Sequence, residues 1–339
     1  MSDHFGVSAA LAGKLDTLLV RLGCGRLKTD SLQRLTGGAS QETWSFDAVG
    51  DGGVVPLIMR RLSADAAPGE RTLSSECEAQ LIRRAGECGV PTPAIRHILA
   101  PGDDLGCGFL SSRIEGETLA RRILRNPEFA AIRPRLAFQC GAILARIHAV
   151  PPAGLPALPT RFAAGQLAEL YQHYKAFGGG SAVFELAFRW LRDHAPGEAG
   201  MPPRLVHGDF RNGNLIVGAD GVRAVLDWEL THLGDPAEDL GWITVNSWRF
   251  GAIGKPVGGF GSVEDMLAGY RSAGGEAIDV ERVTYWRTLG SLRWGLICRR
   301  MAQPVEAGMP ISVERAMIGR RISETELDLL DILAATGVR

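Results

Sequence analysis

The chain has 339 residues, 45% hydrophobic and 22% charged, which is the composition of a folded protein and excludes a disordered one. Its formal net charge of -1 argues against a general nucleic-acid binder, which is usually clearly basic. No apolar run approaches the ~18–20 residues of a membrane span, and the start MSDHFGVSAALAGKLD has no charged-then-apolar signal pattern, so no membrane association and a cytoplasmic location are expected.

At this length two domains, or one large bilobed one, are expected. A helix is predicted over 8–23, where Leu11, Leu15, Leu18, Leu19 and Leu22 share one face. Ser31–Leu35, Glu42–Val49 and Val54–Arg60 read as short strands. Thr36–Ser40 joins the first two, and Gly50-Asp51-Gly52-Gly53 makes a hairpin turn for the second pair. A helix over 73–88 stops near Gly89 and Pro91. Ile95–Leu99 and Gly108–Ile114 are candidate strands. After Glu115-Gly116 the helical period dominates, over 117–125, 132–149, 163–176, 181–194, 262–273, 279–302 and 312–336. One short β insertion interrupts it at about 204–227. The expected class is α+β, with a small N-terminal lobe of antiparallel sheet plus helix (1–113), a hinge at about 111–116, and a larger, mainly helical lobe (114–339). Six cysteines contain no Cys-x-x-Cys pair and read as free thiols. Only four lysines occur (14, 28, 175 and 255), so lysine-dependent chemistry has few candidates.

The strongest local signal is Leu205-Val206-His207-Gly208-Asp209-Phe210-Arg211-Asn212-Gly213-Asn214, followed by a hairpin whose second strand ends in Asp227-Trp228-Glu229. Folding that hairpin is expected to bring Asn214 and Asp227 together, with Asp209 on the loop leading in. Oxygen ligands of this kind suit Mg²⁺, a hard ion bound by few carboxylates plus phosphates and waters. Phosphoryl transfer needs such ligands together with a carboxylate that receives the hydroxyl proton.

This stretch resembles the catalytic loop and metal-binding segment of the aminoglycoside phosphotransferase/choline kinase family, relatives of the protein kinases. The resemblance implies a protein-kinase-like bilobed fold, ATP and Mg²⁺. It aligns Asp209 with the catalytic base, with Arg211 beside it as a further catalytic candidate, and aligns Asn214 and Asp227 with the metal ligands. His207 fits the family's motif histidine, read as structural. In Gly234-Asp235-Pro236-Ala237-Glu238-Asp239-Leu240, Asp239 is expected to hydrogen-bond the catalytic loop. Gly37, Gly38 and Ser40 fall where a phosphate-covering loop belongs. Gln41 stands where the family often has Asn. Arg60, at the end of the third strand, falls at the position of the phosphate-gripping cation, whose charge and forked donors suit two phosphate oxygens. Arg61 reads as a solvent-facing strand end. Of Glu76 and Glu78, the latter shares a face with Leu81, Ile82 and Ala85 and is the expected partner of Arg60. The segment Gly108–Gly116 resembles the family's hinge, with the Ser112 carbonyl and the Ile114 N–H facing adenine. The motifs cover about residues 30–245. The helical region beyond resembles a bacterial branch that also resembles the kinase-like domains associated with acyl-CoA dehydrogenases.

Residues 281–325 contain eight arginines against four acids. That is the wrong sign for a polycation, so an anionic or neutral hydroxyl acceptor, such as a hydroxy acid or its CoA ester, is favoured. Arg293 and Arg300, seven apart on one predicted helix, are candidates to face it. The alternatives are a true aminoglycoside O-phosphotransferase and a non-catalytic nucleotide-binding regulator on the same fold.

Overall fold

The computed structural model describes residues 3–35, 41–62, 73–306 and 313–337. Gly37, Gly38 and Ser40 lie outside these residues. The chain divides into two compact units, Met1–Gly116 with Gly154–Pro156 and Arg223–Leu230, and the remainder.

The first unit opens with α1 (Asp3–Arg21), then β1 (Arg26–Leu35), β2 (Gln41–Gly50), β3 (Gly53–Leu62), α2 (Ser75–Glu87), β4 (Ile95–Ile98) and β5 (Gly108–Ser112). The strands form one antiparallel sheet in the order β1-β2-β3-β5-β4. Period-2 alternation sends Leu57 and Met59 of β3 into the core and leaves Arg60 on the opposite face. The leucine stripe of α1 packs against Trp44, Phe46, Leu57, Met59 and Leu110. Ser74 caps α2 by accepting the Cys77 N–H at 3.1 Å. The inward face of α2 carries Leu81, Ile82 and Ala85, and with them the fully buried Glu78.

The second unit contains α3 (Ala120–Arg125), α4 (Leu136–His148), β6 (Thr160–Arg161), α5 (Ala163–Ala176), α6 (Ala182–Asp193), β7 (Arg204–Val206) and β8 (Leu215–Gly218). The next strand, β9 (Gly221–Val225), completes a hairpin with β8, and the division between units falls within it. Then come β10 (His232–Gly234), α7 (Ala237–Trp242), α8 (Val263–Ser272), α9 (Val280–Glu306), α10 (Val313–Gly319) and α11 (Ile322–Ala335). In the sheet β6-β10-β7, β10 runs parallel to β6 and antiparallel to β7. Helix α9 is the central element, packed against α5, α6, α7, α10 and α11.

Two expectations need correction. The helix predicted over 312–336 is two helices. Gly319 lies so close to Ala302 of α9 that an added Cβ would sit 2.9 Å from its Cα, and the chain turns there before α11 starts. The helix predicted from 117 starts at Ala120, because Glu117 bridges Val217 through two backbone bonds of 2.9 Å. The Glu117 carboxylate then accepts the N–H groups of Thr118 and Leu119. Strands β6 and β10 and helix α7 are absent from the sequence expectations. No helix among the described residues is long and apolar enough to cross a membrane.

Helices α4 and α8 approach closely because Gly141 and Gly269 face each other's backbones. A Cβ at either would overlap a carbonyl, that of Met266 or Phe138. This contact seats His148 beside Tyr270. Gly269→Ala is expected to lower stability by about 1–3 kcal/mol through overpacking, read as a lower urea midpoint. An unchanged midpoint would show that the two helices separate without loss.

Candidate active site

In the first unit Arg60 is the hub. Its Nη1 donates to Glu78 Oε1 at 3.0 Å, its Nε to Gln41 Oε1 at 2.8 Å and its Nη2 to Asp227 Oδ1 at 3.0 Å. The Gln41 amide lies 3.4 Å from Glu78 Oε2 and closes the ring. Glu78 has no exposed side-chain surface and Arg60 keeps 20%. Burial works against the Arg60 charge, but Glu78 and Asp227 outweigh it and raise its pKa above the ordinary arginine value. Glu76 points elsewhere and accepts from Gln80 at 3.2 Å. Arg61 is not a free strand end. Its Nε donates to Glu42 at 2.8 Å and its side chain is only 20% exposed.

Asp227 follows β9 with φ of 67°, a left-handed conformation that costs a non-glycine residue about 1–2 kcal/mol. Its neighbours hold it there. Trp228 is fully buried and donates to the Val225 carbonyl at 3.2 Å, and the Val225 N–H reaches Pro91 at 2.9 Å. Ser112 ends β5, clipped to Ala94 by its N–H and its hydroxyl, both at 2.9 Å. The half-buried Ile114 follows, and its N–H meets no protein acceptor among the described residues.

In the second unit the loop from β7 to β8 carries the remaining candidates. Its entry is fixed by Asp239, whose carboxylate accepts the His207 N–H at 2.8 Å and the Gly208 N–H at 2.9 Å. The same carboxylate contacts His148 Nε2 at 3.1 Å, and His148 Nδ1 meets the Tyr270 hydroxyl at 2.9 Å. Gly208 has a φ of 80°, a turn that glycine adopts without steric penalty. Burial alone would raise the Asp239 pKa, yet the His148 hydrogen bond, the histidine charges and the loop N–H hold it below the usual carboxylate range.

Three donors surround Asp209. Arg211 Nε reaches both its oxygens at 3.0 and 3.3 Å, the Asn214 amide nitrogen reaches Oδ2 at 2.6 Å, and the Trp242 indole N–H reaches Oδ1 at 2.8 Å. Trp242 was missed by the sequence reading. It closes α7, six residues long and too short to show a period, three residues after Asp239. Glu238, on the same turn, binds Gln166 at 2.6 Å and His232 at 3.0 Å. Asp235 binds Arg282 at 2.7 Å and Trp286 at 2.8 Å. The three acids of the Asp235–Asp239 segment therefore each anchor a different element.

The residues suit Mg²⁺. Because the Asn214 amide nitrogen is turned to Asp209, its oxygen faces away and takes no protein donor among the described residues. Asp227 likewise keeps Oδ2 without a protein donor there. Among the described residues no three His, Cys, Asp or Glu gather to enclose an ion. Each of these open oxygens, one in either unit, is of the hard type that Mg²⁺ takes beside water and phosphate.

A model of the phosphotransferase enzyme family matches residues 31–274. The chain belongs to this family. It is a phosphotransferase with the protein-kinase-like α+β fold. Viomycin phosphotransferase of Streptomyces vinaceus is 28% identical over 270 residues, 74% of this chain and 83% of that protein. Acyl-CoA dehydrogenase family member 10 of Mus musculus is 28% identical over 178 residues, 49% of this chain. That match spans only 16% of the mouse protein. The fold is shared with a solved spectinomycin phosphotransferase in complex with ADP and spectinomycin, at a TM-score of 0.67 and 16% identity over 97% of this chain and 99% of that one.

Asp239 also sets an acid dependence. Its pKa is depressed in the folded state, so its stabilisation is complete above the unfolded carboxylate value of about 4. It is lost as pH falls through the lower folded value. Asp239→Asn should therefore destabilise the protein by about 3–5 kcal/mol near neutrality, with the gap to wild type narrowing towards pH 3. Urea midpoints across this range measure it, and a gap independent of pH would remove the carboxylate's charge from the account.

Proposed function

We propose that this chain transfers the γ-phosphoryl group of ATP to a hydroxyl of a small molecule, with Mg²⁺ held by Asn214 and Asp227. The observation that carries this reading is the arrangement at Asp209. A carboxylate offers about four acceptor sites; Oδ1 takes close bonds from Arg211 and Trp242, whereas Oδ2 takes one close bond, from Asn214, and only the longer 3.3 Å contact of the shared Arg211 N–H. The remaining place suits an acceptor hydroxyl. Asp209 orients that hydroxyl and takes its proton. The acceptor oxygen bonds to the γ-phosphorus while the bond to the bridging oxygen breaks, and ADP departs.

Arg60 grips the α- and β-phosphates, kept in position by Glu78 and Gln41. The loop containing Gly37, Gly38 and Ser40 covers the phosphates through backbone N–H groups. Ser112 and Ile114 present backbone groups to adenine, and the free Ile114 N–H supports this. Bound at Asn214 and Asp227, Mg²⁺ would neutralise phosphate charge. Rate enhancement comes mainly from position and electrostatics. The ADP named with the spectinomycin phosphotransferase supports an adenine nucleotide.

The arginine excess of residues 281–325 favours an anionic or neutral acceptor over a polycationic one. Arg293 and Arg300, seven apart on α9, have different surroundings. Arg293 contacts Glu238 at 3.5 Å and stacks 4.8 Å over Trp242, while Arg300 is exposed.

ADP release from Mg²⁺-ATP, compared across hydroxy acids, hydroxyacyl-CoA esters and aminoglycosides, tests the reading. Asp209→Ala should lower kcat by roughly 10²–10⁴-fold while nucleotide still binds. Asp227→Ala should lose Mg²⁺-dependent nucleotide binding as well. Near-normal turnover in Asp209→Ala would overturn the assignment, and stimulation by aminoglycosides alone would overturn the acceptor class.

A further inference from the structure

The second unit holds a cavity of about 870 Å³ whose wall carries five arginines: Arg121, Arg125, Arg249, Arg287 and Arg321. Three acids, Glu324, Asp328 and Asp331, share the wall and leave positive charge in excess. The acids are partly committed. Glu324 pairs with Arg321 at 2.9 Å, and Asp328 accepts from the Asn246 amide at 2.6 Å. Arg249 and Arg287 make no ion pair within 4 Å among the described residues. Arg249 spends its donors on neutral oxygens, the carbonyls of Thr244 at 2.7 Å and Ile253 at 3.1 Å. The Nε of Arg287 is buried and meets no acceptor among the described residues.

A buried guanidinium with an idle donor is costly. Arg287, half-buried, carries that idle donor, and the half-buried Arg249 on the same wall feels its charge. Burial and the neighbouring Arg287 push Arg249 down to about 10, and burial lowers Arg287 too, against the pull of Asp328. An arrangement that is strained alone and relieved by negative charge is the electrostatic form of an anion site.

The cavity is also tied to the catalytic loop within this unit. Arg249 follows Trp248 on the short 3₁₀ turn Asn246–Arg249. Arg211 stacks 4.6 Å over the Trp248 ring, and Trp248 lies 5.3 Å from Trp242, the indole that donates to Asp209.

We propose that this cavity binds the anionic group of the acceptor, a carboxylate or a phosphate, through Arg287 and Arg249. The proposal names the acceptor class and rests on the phosphotransfer reading above. Arg287 is the clean handle, because Arg249 also ties down backbone.

The test is calorimetric titration of inorganic phosphate and, separately, of succinate into the full chain. At least one should bind the wild type at a single site, and the tighter one identifies the source as phosphate or carboxylate. Arg287→Gln should weaken that binding at least tenfold. Asp328→Asn, which removes opposing charge, should tighten it several-fold, an opposite sign that a merely structural disturbance does not produce. Arg189→Gln, on α6 and absent from the cavity wall, serves as a control for a general loss of positive charge and should bind like wild type. Binding equal in wild type and Arg287→Gln, binding lost in Arg189→Gln, or no binding of either probe at about 10 mM would each overturn the proposal. ADP release with neutral hydroxyl acceptors keeps the two readings apart. If it persists while the anion site fails, only this inference falls. If anions bind at Arg287 but no acceptor is turned over, the phosphotransfer reading falls instead.

Discussion

Burying a carboxylate without replacing its water costs several kcal/mol. Asp239, fully buried, meets the condition with two loop N–H groups and His148. Its position then determines much else. The same acceptor pair fixes the turn at Gly208, and that turn delivers Asp209. One helical turn further on, α7 presents Trp242 to the other side of Asp209. A single buried charge thus registers the loop and one of the donors that hold the proposed base. Tyr270 and His148 extend the support to the α4–α8 contact, where two glycines permit the close approach.

The first unit solves the same problem with the signs exchanged. Arg60 is the half-buried cation, and Glu78 is its fully buried partner. Gln41 bonds to both and fixes the angle between them. A guanidinium held on three sides is preorganised, so little side-chain freedom remains to be lost when phosphate arrives.

The elements that were legible in the sequence are those with long, unambiguous periods. The α1 leucine stripe, the hairpin at Gly50–Gly53 and the exact extent of α5 belong to this class. Choosing Glu78 over Glu76 was also possible, because a helix face rich in Leu81, Ile82 and Ala85 must point inward and takes its glutamate with it. Short elements left no such trace. Two residues of β6 and three of β10 cannot show alternation. Trp242 reads as core until the fold brings its indole edge to Asp209. Gln41 looks like a small departure from a family pattern until Arg60 is seen to lean on it. The arginine excess was visible as a number, but which arginines lack carboxylate partners depends on packing. Arg293, one of the two expected candidates, pairs with Glu238 at 3.5 Å, whereas Arg287 makes no ion pair within 4 Å among the described residues.

The three indoles of Trp242, Trp248 and Trp294 form one cluster, and each carries a guanidinium over its face: Arg293, Arg211 and Arg321 respectively. Indole emission responds to nearby charge, and one of these rings also touches Asp209 directly. The protein therefore contains its own optical gauge. Proton movement at Asp209, displacement of Arg211 and rearrangement of the wall carrying Arg321 would each tint a different ring. Replacing the indoles one at a time with phenylalanine would assign each change of colour to its own event, with no dye attached to the molecule.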